Sequence, residues 1–305
     1  MGEWLRGDLL AEEIKAEIQR GLESYKEKIK RPPYLVGILI GENPSSKIYL
    51  NIKKRECEKI GIKSEIVKFS EDETRENILN KINELNDNRA IDGILVQLPI
   101  PSHLDTLEII SALSPDKDVD GFHPDNVSRI FYAKPGFRPC TPFGILELLK
   151  RNNIKIEGKR AVIIGRSFIV GKPLGLMLLN ENATLTFCHS KTENLKDVTS
   201  SADILIVAIG KPCFVRKDFV KQGAVVVDVG INQITDLAEF KRICGDNEKK
   251  EVQIKEKGST LVGDVHPEVI EKASFLTPVP GGVGPLTVAM LLKNTWESFR
   301  KRENL

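Results

Sequence analysis

The stretch Ala161-Val162-Ile163-Ile164-Gly165-Arg166-Ser167-Phe168-Ile169-Val170-Gly171-Lys172-Pro173 constrains this chain more than any other. Four apolar residues run into a small-residue loop, and a helical pattern follows at Leu174, Met177 and Leu178 with Pro173 in its first turn. That order predicts a buried strand, a tight turn and a helix N-terminus. The unpaired N–H groups and positive dipole end of such a terminus suit a pyrophosphate, so the stretch reads as a dinucleotide site. It departs from both common phosphate-loop patterns. Ser167 stands where the second glycine of G-x-G-x-x-G belongs, and Gly171 comes one residue late. As a P-loop it has five residues rather than four before Gly171-Lys172, and Pro173 replaces the Ser or Thr that would hold Mg²⁺. Taken alone, the loop also fits a strand-to-helix turn of any α/β domain.

The rest of the chain supplies the context. Its 305 residues suffice for two domains with separate cores. Leu9, Leu10, Ile14, Ile18 and Leu22 space as an amphipathic helix, and Pro32-Pro33 breaks the chain before a strand at 34–40. Gly41-Glu42-Asn43-Pro44 reads as a turn, with Ser45 or Ser46 capping the next helix. A strand near Ile66-Val67, a polar helix over 73–85 and a strand at 93–97 continue the alternation. From Cys140 a helix through Leu149 leads to strands at 161–164, 184–188, 204–208 and 225–228, the spacing of a doubly wound unit. The expected fold is α/β, with two α/β domains: 1–140 plus 278–305, and a Rossmann-like domain over 141–277. Residues 235–258 are charged and weakly patterned, which predicts a surface excursion. The helical pattern over 286–299 is apolar on a wide face and is expected to pack on the first domain.

Charge and cysteine content exclude several function classes. Net charge is +2, with Lys and Arg scattered among Asp and Glu, so no nucleic-acid stripe or membrane-binding basic face is expected. No segment is apolar over the length that spans a bilayer, and Met1-Gly2-Glu3-Trp4-Leu5-Arg6 has neither the apolar run of a signal peptide nor the Ser or Thr of a myristoylation motif. The five cysteines, Cys57, Cys140, Cys188, Cys213 and Cys244, are far apart and odd in number, which predicts reduced thiols used for packing in a cytoplasmic protein.

Several constellations could carry chemistry. Tyr49 and Lys53, four apart on a predicted helix, project from one face. A phenol beside an ammonium can handle protons, although a solvated helix face shows the same spacing. Short-chain dehydrogenases share Tyr-x-x-x-Lys, but there the glycine-rich turn comes first, whereas here it follows. Gln97 ends the strand at Val96 and precedes Leu98-Pro99, the carboxyl end where open α/β sheets place ligand contacts. A satisfied polar residue at a strand end fits it equally. Asp116-Lys117-Asp118-Val119-Asp120-Gly121 imitates a calcium loop, but Val127 replaces its closing Glu, so no metal is expected. The Asp120 turn that remains suits hydrogen bonding to a nitrogen-rich ring. After the strand ending at Cys188, His189-Ser190-Lys191 lacks the acid that would hold a ribose 2′-hydroxyl. Ser190 and Lys191, with Arg166, suit a 2′-phosphate instead, which favours NADP over NAD. His189, one of four scattered histidines, reads as structural. Finally, Thr277-Pro278-Val279-Pro280-Gly281-Gly282-Val283-Gly284-Pro285 is a rigid, glycine-dense loop feeding a helix, which suits close backbone approach to a ligand.

In this order the pieces resemble the bifunctional methylenetetrahydrofolate dehydrogenase/cyclohydrolase family over nearly the whole chain. The likeness is carried by Ser46-x-x-Tyr49-x-x-x-Lys53, Val96-Gln97-Leu98-Pro99, Asp116 to Phe122, Arg138-Pro139-Cys140-Thr141-Pro142 and Gly165-Arg166-Ser167 with Val170 to Pro173. Asp228-Val229-Gly230-Ile231-Asn232, Gly263-Asp264-Val265 and Pro278 to Pro285 complete it. The visible departure is the charged excursion between Asn232 and Gly263, which looks like a surface insertion. The resemblance implies an active-site cleft between a folate-binding catalytic domain and an NADP-binding one. It also implies a homodimer acting on tetrahydrofolate derivatives, polyglutamylated or not, in one-carbon metabolism. By resemblance Lys53 activates water and manages the proton of the hydrolytic step, Gln97 holds the ammonium, Tyr49 packs on the folate and Asp120 anchors the pterin. Val96, Leu98, Pro280, Gly281 and Gly282 would complete the substrate site. Gly165, Arg166, Ser167, Gly171, Ser190 and Ile231 would hold NADP. A non-catalytic dinucleotide- or folate-binding regulator on the same fold is the alternative of a different class.

Overall fold

The computed structural model describes residues 2–305. It divides into two compact units, the chain up to Leu10 with Thr141–Thr287, and Ala11–Cys140 with Val288–Leu305. In chain order, β1 (Glu3–Trp4), α1 (Gly7–Ser24), β2 (Tyr34–Ile40), α2 (Pro44–Lys59) and β3 (Lys63–Phe69) come first. They are followed by α3 (Arg75–Asp87), β4 (Gly93–Val96), α4 (Thr106–Ser111), α5 (Pro124–Phe131) and α6 (Cys140–Arg151). Then come β5 (Arg160–Ile164), α7 (Gly171–Asn180), β6 (Thr184–Cys188), α8 (Leu195–Thr199), β7 (Ile204–Val207) and β8 (Val225–Asp228). The last are β9 (Asn232–Ile234), α9 (Leu237–Cys244), α10 (Glu248–Lys257), β10 (Thr260–Val262), β11 (Phe275–Leu276) and α11 (Val283–Glu303).

The unit of 11–140 and 288–305 is built on a parallel sheet ordered β3-β2-β4. Strand β4 is buried along its whole length, as expected where helices cover both faces of a parallel sheet. Val36, Ile38 and Ile40 of β2 pack with Ile78, Ile82 and Leu85 of α3 in one core. Gly37 lets α2 lie close on β2, because a Cβ there would meet Leu50 at 2.6 Å. The later half of α11 locks in through polar groups: Asn294 Nδ2 donates to Val119 O at 2.8 Å, and Ser298 Oγ donates to Asp92 O at 2.6 Å. This packing of the last helix agrees with its expected place.

The other unit carries a parallel sheet ordered β1-β11-β8-β7-β5-β6. Counted from β5, five of these strands follow the order 2-1-3-4-5, so the chain reverses direction of growth between β5 and β7. Strands β7 and β8 are buried throughout, whereas β6 is an edge with Thr184, Thr186 and Phe187 exposed. Residues 2–10 and 278–287 fall in this unit rather than with 11–140, which shifts the expected boundaries. Pairing explains it: Glu3 and Trp4 extend the sheet beside Phe275 and Leu276, Asp8 N donates to Gly281 O at 3.0 Å, and the Thr141 and Thr287 hydroxyls meet at 2.8 Å.

Two further expectations are corrected and a third gains detail. Neither Ser45 nor Ser46 caps α2; Asn43 does, its Oδ1 accepting from Ser46 N at 3.0 Å. Pro44 takes the first helical position, where its missing N–H costs nothing. Residues 235–258 form the expected surface excursion, with regular structure of their own. Asp236 and Asn247 cap α9 and α10, β9 pairs antiparallel with β10, and Ile234, Phe240, Cys244, Ile254 and Val262 form a small core with Cys213. That core also overturns the reading of all five thiols as reduced, because Cys213 and Cys244 form a disulfide while Cys57, Cys140 and Cys188 are free. Their separation of 31 residues in sequence hides the fact that α9 folds back onto the loop holding Cys213. Among the described residues, no helix is long and apolar enough to cross a membrane and no His, Cys, Asp or Glu group is placed to hold a metal ion.

On the inner side of α2, Glu56 is held by Lys15 Nζ at 2.6 Å and Lys59 Nζ at 2.7 Å. Burial would raise its carboxyl, but the hydrogen bonds from Lys15 and Lys59 override it and pull the group down to about 2. A lowered folded value stabilises the protein above the unfolded value and is lost as pH falls through the folded one. Glu56→Gln should therefore cost roughly 1–2 kcal/mol at neutral pH. The deficit should vanish between the ordinary Glu value and about pH 2 in urea denaturation followed against pH. A deficit independent of pH would assign the loss to packing.

Candidate active site

Helix α2 presents Ser46, Leu50, Lys53 and Cys57 on its buried face, an i, i+4, i+7, i+11 stripe. Lys53 is thereby drawn inward until it is 5% exposed, and its Nζ donates to Gln97 Oε1 at 3.1 Å. Gln97 follows Val96 at the carboxyl end of β4, and its backbone N–H still pairs with Ile38 O at 2.9 Å. The Gln97 amide is aimed by its other end, because Nε2 donates to Leu98 O at 2.9 Å, which leaves Oε1 for the ammonium. Ser46 Oγ also donates to Leu98 O, at 3.4 Å. Among the described residues Gln97 is the one hydrogen-bond partner of Lys53, so two of its N–H directions remain for other groups. Tyr49, one turn before Lys53, is half-buried, and burial pushes its phenol up.

Asp120 sits in a turn that Asp118 organises. The buried Asp118 carboxylate accepts from Gly121 N at 3.1 Å, His123 N at 2.8 Å and Asn126 Nδ2 at 2.9 Å. Gly121 has φ +79°, and a Cβ there would collide with Arg138 and Pro139, so glycine is required at this approach. Beneath lies Cys140. Burial pushes its thiol well up, the Asp120 carboxylate adds to the rise and the Lys53 ammonium opposes it. Among the four predicted catalytic residues the direct contact is Lys53–Gln97, and Tyr49 shares the helix of Lys53.

The other unit gathers the predicted dinucleotide residues. Gly165 follows β5 at the point where the strand order reverses, which is where open α/β sheets bind ligands. It has φ +130°, its N–H pairs with Cys188 O at 2.9 Å, and a Cβ would collide with Ala208 O. Gly171 packs equally closely on Gly165. Ser167 closes the loop, its Oγ accepting from Val170 N at 3.1 Å and Gly171 N at 3.4 Å. The serine in place of the expected glycine is therefore the residue that shapes the turn. Arg166, Ser190 and Lys191 are exposed at the ends of the adjacent strands β5 and β6. A backbone-lined turn at the start of α7 beside two cations fits a dinucleotide that carries a 2′-phosphate.

Two buried aspartates, to which no role was assigned from sequence, hold the neighbouring loops. Asp228 accepts from Gly230 N, Asp264 N and Val265 N, each at 2.9 Å. Asp264 accepts from Ile209 N at 2.7 Å, Gly210 N at 3.0 Å, Lys211 N at 2.8 Å and Asn232 Nδ2 at 2.9 Å. A Cβ on Gly230 would run into Asp264, and one on Gly263 into Asp228. An acid beside a glycine after each of two strands was the available signal. This knot displays Ile231, which is 46% exposed. Pro280, Gly281 and Gly282 lie in this same unit, with φ +99° at Gly281.

Residues 5–120 match the model of the tetrahydrofolate dehydrogenase/cyclohydrolase catalytic domain, and residues 139–303 that of the tetrahydrofolate dehydrogenase/cyclohydrolase NAD(P)-binding domain. The chain is 49% identical over 298 residues to the bifunctional protein FolD of Koribacter versatilis, covering 98% of this chain and 97% of that protein. A bifunctional FolD from Campylobacter jejuni superposes with a TM-score of 0.89 at 43% identity, over 99% of this chain and all of that one. The Trypanosoma brucei methylenetetrahydrofolate dehydrogenase-cyclohydrolase, solved with NADP and an inhibitor, gives 0.88 at 34% identity, over 98% of each chain. The chain belongs to the tetrahydrofolate dehydrogenase/cyclohydrolase family.

Proposed function

We propose that the protein oxidises 5,10-methylenetetrahydrofolate with NADP⁺ to the 5,10-methenyl cation and hydrolyses that cation to 10-formyltetrahydrofolate. The observation that carries the reading is the buried Lys53 ammonium aimed by Gln97. The family membership and the NADP-bound relative support the cofactor.

Hydrolysis needs a water to add to the methenyl carbon, the C–N5 bond to break, and one proton to leave overall. As the free amine Lys53 Nζ takes a proton from the adding water and returns one to N5 as the C–N5 bond breaks, and Gln97 Oε1 keeps it in one rotamer so that transfer distances stay short. Tyr49 packs on the ring system. Asp120 accepts hydrogen bonds from the pterin nitrogens, with Asp118 fixing its turn. The dehydrogenase step asks less of side-chain acids and bases, because the product is itself a stabilised cation. Bound NADP⁺ supplies the acceptor for the hydride. Gly165, Ser167 and Gly171 would hold its pyrophosphate, Arg166 and Ser190 its 2′-phosphate, and Ile231 with Pro280 to Gly282 would close on the nicotinamide and folate. The resemblance also brings a homodimer and a cytoplasmic location into this reading.

Turnover of the folate substrate, followed by the ultraviolet absorbance of reduced nicotinamide, tests the whole reading. Lys53→Met should lower cyclohydrolase activity by roughly a hundredfold or more while the dehydrogenase falls less. Hydrolysis of the methenyl compound at the wild-type rate would remove Lys53 from the step. Arg166→Ala should raise KM for NADP⁺ on the order of tenfold and leave that for NAD⁺ nearly unchanged. An unaltered preference would take Arg166 out of the 2′-phosphate site. Sedimentation velocity showing a monomer at working concentration would remove the dimer.

A further inference from the structure

The loop Thr277-Pro278-Val279-Pro280-Gly281-Gly282 has an unusual hydrogen-bonding problem. Two of its residues are prolines without an N–H, and its two glycines add no side chains, so it has few donors with which to satisfy its own carbonyls. Part of the answer comes from its own unit's N-terminal segment, where Asp8 N donates to Gly281 O at 3.0 Å. Another part comes from the charged excursion. Lys250 of α10 donates from Nζ to Val279 O at 3.0 Å and to Leu261 O at 2.7 Å. One ammonium thus ties the carbonyl just before Pro280 to strand β10. Burial pushes that ammonium down, with Asp228 opposing, so its placement there costs free energy that a purely structural apolar side chain would not.

The excursion is built to deliver this side chain. Lys250 N is itself the donor to the Asn247 cap at 3.1 Å, and Lys241 of α9 pairs with Glu251 of α10 at 3.0 Å. At its far end α9 is anchored twice: Arg216 donates to Ile243 O at 2.7 Å, and Cys244 is bonded to Cys213. Cys213 N in turn donates to Gly263 O at 2.9 Å, next to the Asp228 and Asp264 knot. An open pocket of about 390 Å³ between them is lined by Lys250, Asp228, Cys213, Cys244, Val279 and His266 among others. Loop, strap and anchor therefore surround one volume within a single unit.

We propose that Lys250 is a positioning residue for the 278–282 loop, and that the Cys213–Cys244 bridge holds the excursion in the register that lets Lys250 reach it. The inference rests on the reading of this loop as the element that closes on folate and nicotinamide. Lys250 touches neither ligand; it acts through the loop's backbone.

Lys250→Met keeps the stem and removes both ammonium bonds, whereas Lys250→Arg keeps donors. For Lys250→Met, dehydrogenase kcat should fall by roughly tenfold with KM for NADP⁺ within about twofold, because the loop is misplaced while the phosphate site is untouched. Lys250→Arg should stay within about threefold of wild type. Amide exchange at Val279, Gly281 and Gly282 should quicken in the Met variant while the strands of the same unit keep their protection. A small dithiol reduces the bridge by exchange, closing to its own cyclic disulfide as Cys213 and Cys244 become thiols. That treatment should lower kcat of the wild type in the same direction and add nothing to Lys250→Met, since both changes release one contact. Unchanged kcat and unchanged loop exchange in Lys250→Met would overturn the proposal, as would exchange raised across the whole unit or fully additive effects of reduction. If the wild type itself does not turn over methylenetetrahydrofolate, the functional reading fails, and the exchange at 279–282 still decides whether Lys250 holds the loop.

Discussion

The buried Asp228 carboxylate is the constraint on which the dinucleotide-side loops depend. Burial pushes it up to about 7, and the neighbouring Asp264 adds to that rise, so keeping it inside is expensive. Three backbone N–H groups offset the cost, and Asp228's own backbone is clasped by Thr277, whose hydroxyl accepts from Asp228 N at 2.7 Å. The consequence is geometric. The turn after β8 and the turn after β10 converge on its side chain, and the entry to the proline-rich loop on its backbone. Gly230 and Gly263 are glycines because the carboxylates occupy the space where their Cβ atoms would stand. A network of this kind specifies one arrangement, since a partly satisfied version would leave buried charge without donors.

The folate-side residues are organised by a different device. There the sheet is short, and helix α2 does the positioning through a continuous buried stripe that happens to include a lysine. Gly37 brings the helix close, Asn43 and Pro44 set where it begins, and Glu56 one turn beyond Lys53 anchors it to Lys15 of α1. The ammonium is held by a side-chain amide rather than by a carboxylate. An amide oxygen orients the nitrogen without neutralising it, which suits a group that must exchange protons.

The charged excursion shows how composition misleads. Over 248–257 the residues are nearly all charged or polar, and by pattern they read as solvated surface. The structure gives them two capped helices and a small core closed by a disulfide, with one of the lysines turned inward to satisfy carbonyls that prolines leave without partners. Charge content described the outer face correctly and said nothing of which lysine would turn.

Local sequence determined the elements. Tyr49, Lys53, Gln97 and Asp120 also fitted plain helix faces, strand ends or turns and were singled out by the family resemblance, whereas apolar runs bounded by glycine and proline placed strands β2, β4, β5, β7 and β8 nearly to the residue and set Gly165 and Arg166 in a strand-turn-helix. Those signals are carried by neighbours within a few residues, where propensity and periodicity operate. What only the tertiary structure decided are relations between distant segments: that Gln97 presents its oxygen to Lys53, that Asp228 and Asp264 share one knot, that Cys213 meets Cys244, and that Glu3 and Trp4 pair with β11. Each depends on how strands order and loops fold back, which is set by the closing of the whole core and has no local periodicity to announce it.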